Sequence, residues 1–266
     1  MANGMGRFEE QVVLITGASS GIGAGLAREF AREGAHVVLV ARRAERIEEL
    51  AAELTAAGKR AAAVAGDVTR DGDLERSVEV AHREFGRLDV AIANAGVLTT
   101  GRFESLTLDG YRKQIETNTF GALRTAYAAL PALRETRGRL VFTGSLLGLV
   151  SVPACTAYCM SKFALSGLAD GLSHELAPRG VSVTHVLFGY VDTEIYAHSP
   201  LPRKPGRWLS LTAEQAAPRV VSAIHRRARR YVLPFPTRMA ILADRLFPGV
   251  IYSIIGRVYR RRGAIA

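Results

Sequence analysis

Seven short apolar runs alternate along the chain with longer stretches in which apolar residues return every three or four positions. The runs occupy 12–16 (VVLIT), 36–41 (HVVLVA), 61–68 (AAAVAGDV), 88–96 (LDVAIANAG), 138–145 (GRLVFTGS), 181–189 (VSVTHVLFG) and 230–236 (RYVLPFP). They are rich in valine and continuous rather than alternating, the pattern of strands covered on both faces. Between them, 25–34, 46–58, 73–86 and 111–133 carry helix-period patterns, several closed by glycine. Strand, helix, strand, helix predicts right-handed crossovers and an α/β fold with a doubly wound parallel sheet of about seven strands, helices on both sides. No linker or fixed-period repeat divides 1–236, which reads as one domain, while 237–266 reads as a basic, amphipathic C-terminal helical extension.

The segment TGASSGIG lies where the first strand hands over to the first helix. Gly17, Gly21 and Gly23 bare the backbone there, and Ser19, Ser20 and Ile22 complete the turn. Such a turn offers amide N–H groups and the positive end of a helix to a pyrophosphate. The spacing G-x-x-x-G-x-G is a variant of the dinucleotide fingerprint G-x-G-x-x-G, and its position makes the domain Rossmann-like. At the end of the second run, LVARR places Arg42 and Arg43 where an acid would bind a free ribose 2′-hydroxyl and arginine a 2′-phosphate. The expectation is therefore NADP(H), with NAD(H) favoured only if the arginines serve the surface and an acid such as Glu45 folds back onto the sugar. Asp67 and Val68, closing the third run, are expected at the adenine edge.

A second cluster lies in GSLLGLVSVPACTAYCMSK. Tyr158 and Lys162 are four apart and share a helix face, and Ser145 closes the fifth run. A phenol with its free pKa of about 10 is a poor base near neutrality, and a neighbouring ammonium favours the phenolate. Tyr158 is thus the expected general acid/base. Lys162 supplies the charge and a hydrogen bond to the nicotinamide ribose, and Ser145 binds the substrate oxygen as charge develops on it.

These motifs resemble, in order, those of the short-chain dehydrogenase/reductases, compact proteins of about 250 residues, and the resemblance covers Phe8 to about Pro236. It implies that the 17–23 turn is the cofactor loop and that Asn94, Ala95 and Gly96 steady the central strand and line the cofactor. It also implies a catalytic role for Asn118, on a water-relayed proton path from Lys162, beside Ser145, Tyr158 and Lys162. The segment FGYVDT resembles the family's Pro-Gly-x-x-x-Thr stretch. Gly189 and Thr193 are retained, Val191 is expected to hold the carboxamide through its backbone, and Phe188 stands where the family carries proline. A homodimer or homotetramer through the helices bearing Asn118 and Tyr158 is implied as well. The expected activity is interconversion of a ketone or aldehyde with an alcohol.

Composition adds three points. Cys155 and Cys159, the only cysteines, form neither a disulfide framework nor a metal set and read as small packing residues, with modification by electrophiles the lesser reading. They and the absence of an apolar leading segment give a cytoplasmic expectation. The six histidines are scattered without ligand spacing, so no metal is expected. The region 190–215 holds the sole tryptophan, Trp208. It is expected to form a lid, with Tyr190, Ile195, Tyr196, Leu201 and Trp208 lining an apolar substrate space, or else a loop covering the core.

Charge separates the two ends of the chain. The last 64 residues hold 14 Lys and Arg against two acids, a net +12, whereas the first 202 carry −2. Nucleic acid is not expected as a partner, because HRRARR at 225–230 has no interleaved aromatics for base stacking. In the extension, Val250, Ile251, Ile254, Ile255 and Val258 share a helical face. The first reading is a strip packed on the body or a sister subunit, and the second is peripheral contact with an anionic membrane. The alternative to an enzyme is a catalytically silent nucleotide-binding sensor or scaffold recruited by the basic tail, which could dispense with Tyr158 and Lys162.

Overall fold

The computed structural model describes residues 6–196 and 210–261. Seven strands form one parallel sheet: β1 (Val12–Thr16), β2 (His36–Ala41), β3 (Ala61–Ala65), β4 (Val90–Ala93), β5 (Arg139–Ser145), β6 (Ser182–Phe188) and, last in chain order, β9 (Arg230–Leu233). Their spatial order is β3-β2-β1-β4-β5-β6-β9, every adjacent pair parallel. All seven predicted runs are strands, most of them shorter than predicted because the turn residues at their ends leave the ladder. Two further strands, β7 (Tyr190–Asp192) and β8 (Ser210–Thr212), pair with each other outside this sheet.

The continuity of the apolar runs is explained by two cores. Val13 and Ile15 face α1 (Gly21–Arg32), α2 (Ala44–Ala56) and α7 (Ala213–His225), through Leu26, Phe30, Ile47, Val221 and Ile224. Val12 and Leu14 face the other way, toward α3 (Asp73–Phe85), α5 (Gly121–Glu135) and α6 (Thr156–Leu176), through Leu74, Leu133, Leu165 and Ala169. A strand buried on both sides has no polar face to alternate with.

Two elements depart from the periodicity. The single helix predicted over 111–133 is divided: α4 (Leu108–Ile115) ends in a π-helical turn, Glu116–Phe120, before α5 begins. The wide turn points Asn118 sideways into the protein, where tertiary hydrogen bonds compensate the strained ladder. The extension forms α8 (Phe235–Leu246) and α9 (Pro248–Arg261), which meet at an angle of 118°. α8 starts two residues before the expected boundary, its Pro236 inside the first turn where a missing N–H costs nothing. Of the strip, Val250, Ile254 and Val258 are exposed and Ile251 and Ile255 half-buried, so within this chain the body covers only part of it.

The arginines of 226–230 are tied to the body. Arg227 donates to the carbonyls of Arg137 and Gly180, Arg230 pairs with Asp170 at 2.6 Å, and Arg226 donates to Ser222 Oγ.

Candidate active site

The carboxyl ends of the central strands open into a cleft of about 430 Å³. In an open parallel sheet a ligand binds there, where the crossovers change direction. Gly17, Ser19, Ser20, Gly21, Ile22, Gly23, Arg42, Arg43, Asp67, Val68, Asn94, Ala95, Gly96, Ser145, Tyr158, Lys162, Gly189, Val191 and Thr193 all line it. Of the predicted catalytic and cofactor residues Asn118 alone stands behind the wall, and Tyr190, expected at the substrate space, does not line the cleft either.

One end of the cleft is the β1–α1 turn. Gly17 takes φ +68°, and a Cβ on it would stand 2.8 Å from Ala95 Cα; a Cβ on Gly23 would collide with the Gly17 carbonyl. The turn is held from β4: Asn94 Nδ2 donates to the Thr16 and Gly17 carbonyls, and the Asn94 and Ala95 amides donate to Thr16 Oγ1. The first amides of α1 have no side-chain cap, and no acid lies in the first turn. That leaves N–H groups and the helix dipole directed at the cleft, a cradle that fits a dinucleotide pyrophosphate.

Arg43 donates to Ser19 Oγ and Ser20 Oγ, at 2.9 and 2.7 Å. It and Arg46 also grip Glu194, at 3.1 and 2.8 Å, and these bonds draw the Glu194 carboxyl below its ordinary pKa. The Glu194 carboxylate thus rests on Arg43, one of the two cations expected to meet a 2′-phosphate. The acid is not Glu45 but one 151 residues away from Arg43. Arg42 leans on Asp67 at 3.9 Å, while Asp67 Oδ1 accepts from Thr69 N and Oγ1.

At the other end, β5 delivers Ser145 and α6 delivers Tyr158 and Lys162. The Lys162 ammonium donates to the Thr143 carbonyl at 2.9 Å and lies 5.7 Å from the centre of the Tyr158 ring. Leu147 N donates to Ser145 Oγ, which also hydrogen-bonds Tyr158. Both charge-bearing groups are buried. Burial raises the Tyr158 pKa well above that of a free phenol, the nearby Tyr196 adds to the rise, and the Ser145 bond opposes it. Burial likewise lowers Lys162 to about 8. The sequence leads one to expect an acidified phenol; in the cleft the largest influence on Tyr158 is burial, which disfavours the phenolate.

Asn118 sits in the π-turn with all its polar atoms engaged. Its Oδ1 accepts from Val97 N at 2.8 Å, and its Nδ2 donates to Val97 O and Ser161 Oγ, both at 3.0 Å. It fastens the segment following β4 to α6 one residue before Lys162, and its neighbour Thr117 reaches the cleft instead.

Phe188 ends β6 opposite Ser145, buried at the cleft wall, so the residue in the proline position extends the strand. Ile195 and Tyr196 line the cleft, and Tyr196 stacks on Tyr190 with centroids 4.6 Å apart. Leu201 and Trp208 lie outside the described residues. Cys155 and Cys159 are free and buried, and burial lifts the Cys155 thiol to about 12, which suits packing and not reactivity. Among the described residues no group of acids, histidines and cysteines could hold a metal. Beneath the site His185 is buried with both ring nitrogens unpartnered, held neutral by a pKa lowered to about 4. Its ring fills the space a side chain at Gly144 would need.

Sequence reading missed Glu194, Arg46, Thr16, Thr117 and Thr143. Thr143 acts through its carbonyl, on which residue type has no bearing; Glu194, Arg46 and Thr16 act through partners distant in the chain, and Thr117 is brought to the cleft by the π-turn.

The family model for short chain dehydrogenases matches residues 11–203. Hydroxysteroid 11-beta-dehydrogenase 1-like protein A of Xenopus laevis is 34% identical over 256 residues, 93% of this chain and 86% of that protein. The A-factor type gamma-butyrolactone 1'-reductase (1S-forming) of Streptomyces virginiae is 41% identical over 202 residues, 74% of this chain and 78% of that protein. An alcohol dehydrogenase from the archaeon Thermococcus sibiricus, complexed with 5-hydroxy-NADP, superposes with a TM-score of 0.76 at 30% identity, covering 84% of this chain and 94% of that one. A short chain dehydrogenase/reductase from Burkholderia phymatum, in complex with NAD, gives 0.80 at 25% identity over 90% and 92%. With the sheet order, the glycine turn and the Ser145, Tyr158, Lys162 wall in place, these likenesses make the chain a member of the short-chain dehydrogenase/reductase family of oxidoreductases.

Proposed function

We propose that the protein is an NADP(H)-dependent oxidoreductase interconverting a ketone or aldehyde with an alcohol, with a lipophilic substrate. The observation that carries the reading is one cleft with Arg42, Arg43 and the bared α1 amides at one end and Ser145, Tyr158 and Lys162 at the other. When bound, a nicotinamide dinucleotide supplies or accepts the hydride. Gly17 to Gly23 would hold its pyrophosphate. Arg43, released from Glu194, would meet the 2′-phosphate, and Asn94 to Gly96, Gly189, Val191 and Thr193 would line its path. The relatives solved with NADP- and NAD-type ligands bracket the choice; the arginines favour the phosphorylated one.

In the reductive direction the substrate oxygen would lie between Ser145 Oγ and the Tyr158 hydroxyl. Tyr158 donates its proton as negative charge grows on that oxygen. Ser145 stabilises the same charge by a hydrogen bond. Lys162, tied to Thr143 by one N–H, has two left to offer the ribose, and its charge compensates the phenolate formed on Tyr158. Asn118 acts as a positioning residue that keeps α6 in register with β4; the proton relay expected from the family remains part of this proposal. Ile195 and Tyr196 supply an apolar wall for the substrate. Self-association through the outer faces of α5 and α6 belongs to the same reading, supported by the exposed Phe120, Tyr127, Met160 and Phe163 around them.

The test is loss of the reduced-nicotinamide absorbance with a panel of small and long-chain ketones, run with NADPH and with NADH. The expected result is turnover favouring NADPH and the longer ketones. Tight binding of both nucleotides with no turnover on any carbonyl or alcohol would return the protein to the sensor reading.

A further inference from the structure

Of the fifteen large apolar side chains exposed among the described residues, nine lie between Phe235 and Val258. They are arranged as stripes. On α8, Phe235, Met239, Leu242 and Leu246 recur at spacings of four, three and four, while Thr237 and Ile241 on the opposite side are buried. Phe247 at the bend and, beyond it, Val250, Ile254 and Val258 on α9 continue the pattern. Phe235 is 68% exposed, Leu246 61% and Tyr252 82%. So dense an apolar surface marks a docking site. Arg238, Arg245, Arg257 and Arg260 are exposed among these residues. Over 237–266 the sequence holds six arginines and one acid, Asp244.

We infer that the α8–α9 pair docks the protein in the plane of an anionic lipid bilayer. The charge selects the occupant. A second copy docking by the same patch would bring two strongly cationic surfaces together, whereas lipid phosphates offer the complementary sign and the acyl boundary accepts the apolar stripes. The pair lies on the bilayer and does not cross it. No single described helix is long and apolar enough to span, and α8, at twelve residues, reaches about 18 Å against the ~30 Å of a hydrocarbon core. The pair starts beside the cleft: Thr237, buried in the first turn of α8 on the side opposite the stripe, abuts Gly189 of the cleft wall. Lipid binding itself does not depend on which carbonyl the enzyme reduces.

The experiment is flotation of the full-length protein with vesicles of phosphatidylcholine alone and of phosphatidylcholine containing phosphatidylglycerol, at low and high salt. The expected result is flotation with the anionic vesicles, weakened by salt. Two combined variants sharpen it, each first shown to melt as the parent does. Met239→Ser/Leu242→Ser/Leu246→Ser should lower the bound fraction about tenfold on anionic vesicles. Arg238→Gln/Arg245→Gln/Arg257→Gln should remove the preference for anionic lipid. No flotation with either vesicle overturns the inference, as does flotation unaltered by the serine variant. It is also overturned if the serine variant, by light scattering, converts an oligomer into monomers while the parent ignores vesicles, which would make the patch a self-interface.

Discussion

The cleft and the α8–α9 pair are built on opposite principles. In the cleft several key polar groups are fixed by partners from other elements: Asn94 by Thr16, Asn118 by Val97 and Ser161, Lys162 by Thr143. In the extension the hydrogen bonds found are local, such as Phe247 N to the Ala243 carbonyl and Ser253 Oγ to the Gly249 carbonyl. A site assembled from the ends of several strands inherits its precision from the sheet and tolerates little change. A helix pair at the edge answers mainly to its own periodicity and to whatever surface it meets.

That contrast can be broken at either end, and the largest effect is expected at Tyr158. Tyr158→Phe should lower kcat by about 10³-fold while leaving the nucleotide Kd near that of the parent, measured by steady-state kinetics and by fluorescence titration. Retained turnover would mean that another group donates the proton. Gly23→Ala should destabilise the fold by about 2–3 kcal/mol, read from urea denaturation, because the added methyl meets the Gly17 carbonyl and Asn94.

Lys162→Met should abolish turnover yet stabilise the protein by roughly 1–3 kcal/mol at pH 7. Burial lowers the lysine pKa from 10.5 to about 8, so between those values the unfolded chain binds more protons than the folded one. The parent therefore gains stability as pH rises from 8 toward 10.5, and below 8 it carries the whole penalty. Melting curves of parent and variant should accordingly converge above pH 10.

Smaller is the expected effect of Arg43→Ala, about a tenfold rise in the Kd of NADPH with little change for NADH, measured by titration. Equal effects on the two would assign Arg43 to holding Ser19, Ser20 and Glu194 rather than a 2′-phosphate. The smallest effect belongs to the extension: Leu242→Ser should alter stability by less than about 0.5 kcal/mol, since the side chain is exposed. A large loss would show that the stripe is covered in solution.

Much of the cleft was legible because backbone chemistry leaves marks in residue type. Glycine at 17 and 23 is required by a positive φ and by a close approach, and a valine run signals a strand covered twice. The tyrosine and lysine at 158 and 162 share a helix face by spacing alone. The grip of Arg43 and Arg46 on Glu194 left no mark, being a contact between elements far apart in sequence. The π-turn at Asn118 was equally hidden, since its residues suit an ordinary helix and only the bonds to Val97 and Ser161 favour the wider turn.

The balance of forces on Tyr158 shows where sequence reasoning ends. Which groups would meet was settled by the order of residues along strands and helices, because the periods of 2 and 3.6 are properties of the backbone. How far the phenolate is disfavoured depends first on burial and then on the electrostatic influence of Tyr196, Cys155 and Cys159 beside it, and both are set by packing. The same division holds at the C-terminus: spacing made α9 amphipathic, and the bend after Phe247 together with the path of α8 left its apolar side facing outward. Local pattern fixes what a segment can bury; only packing decides whether anything is there to bury it.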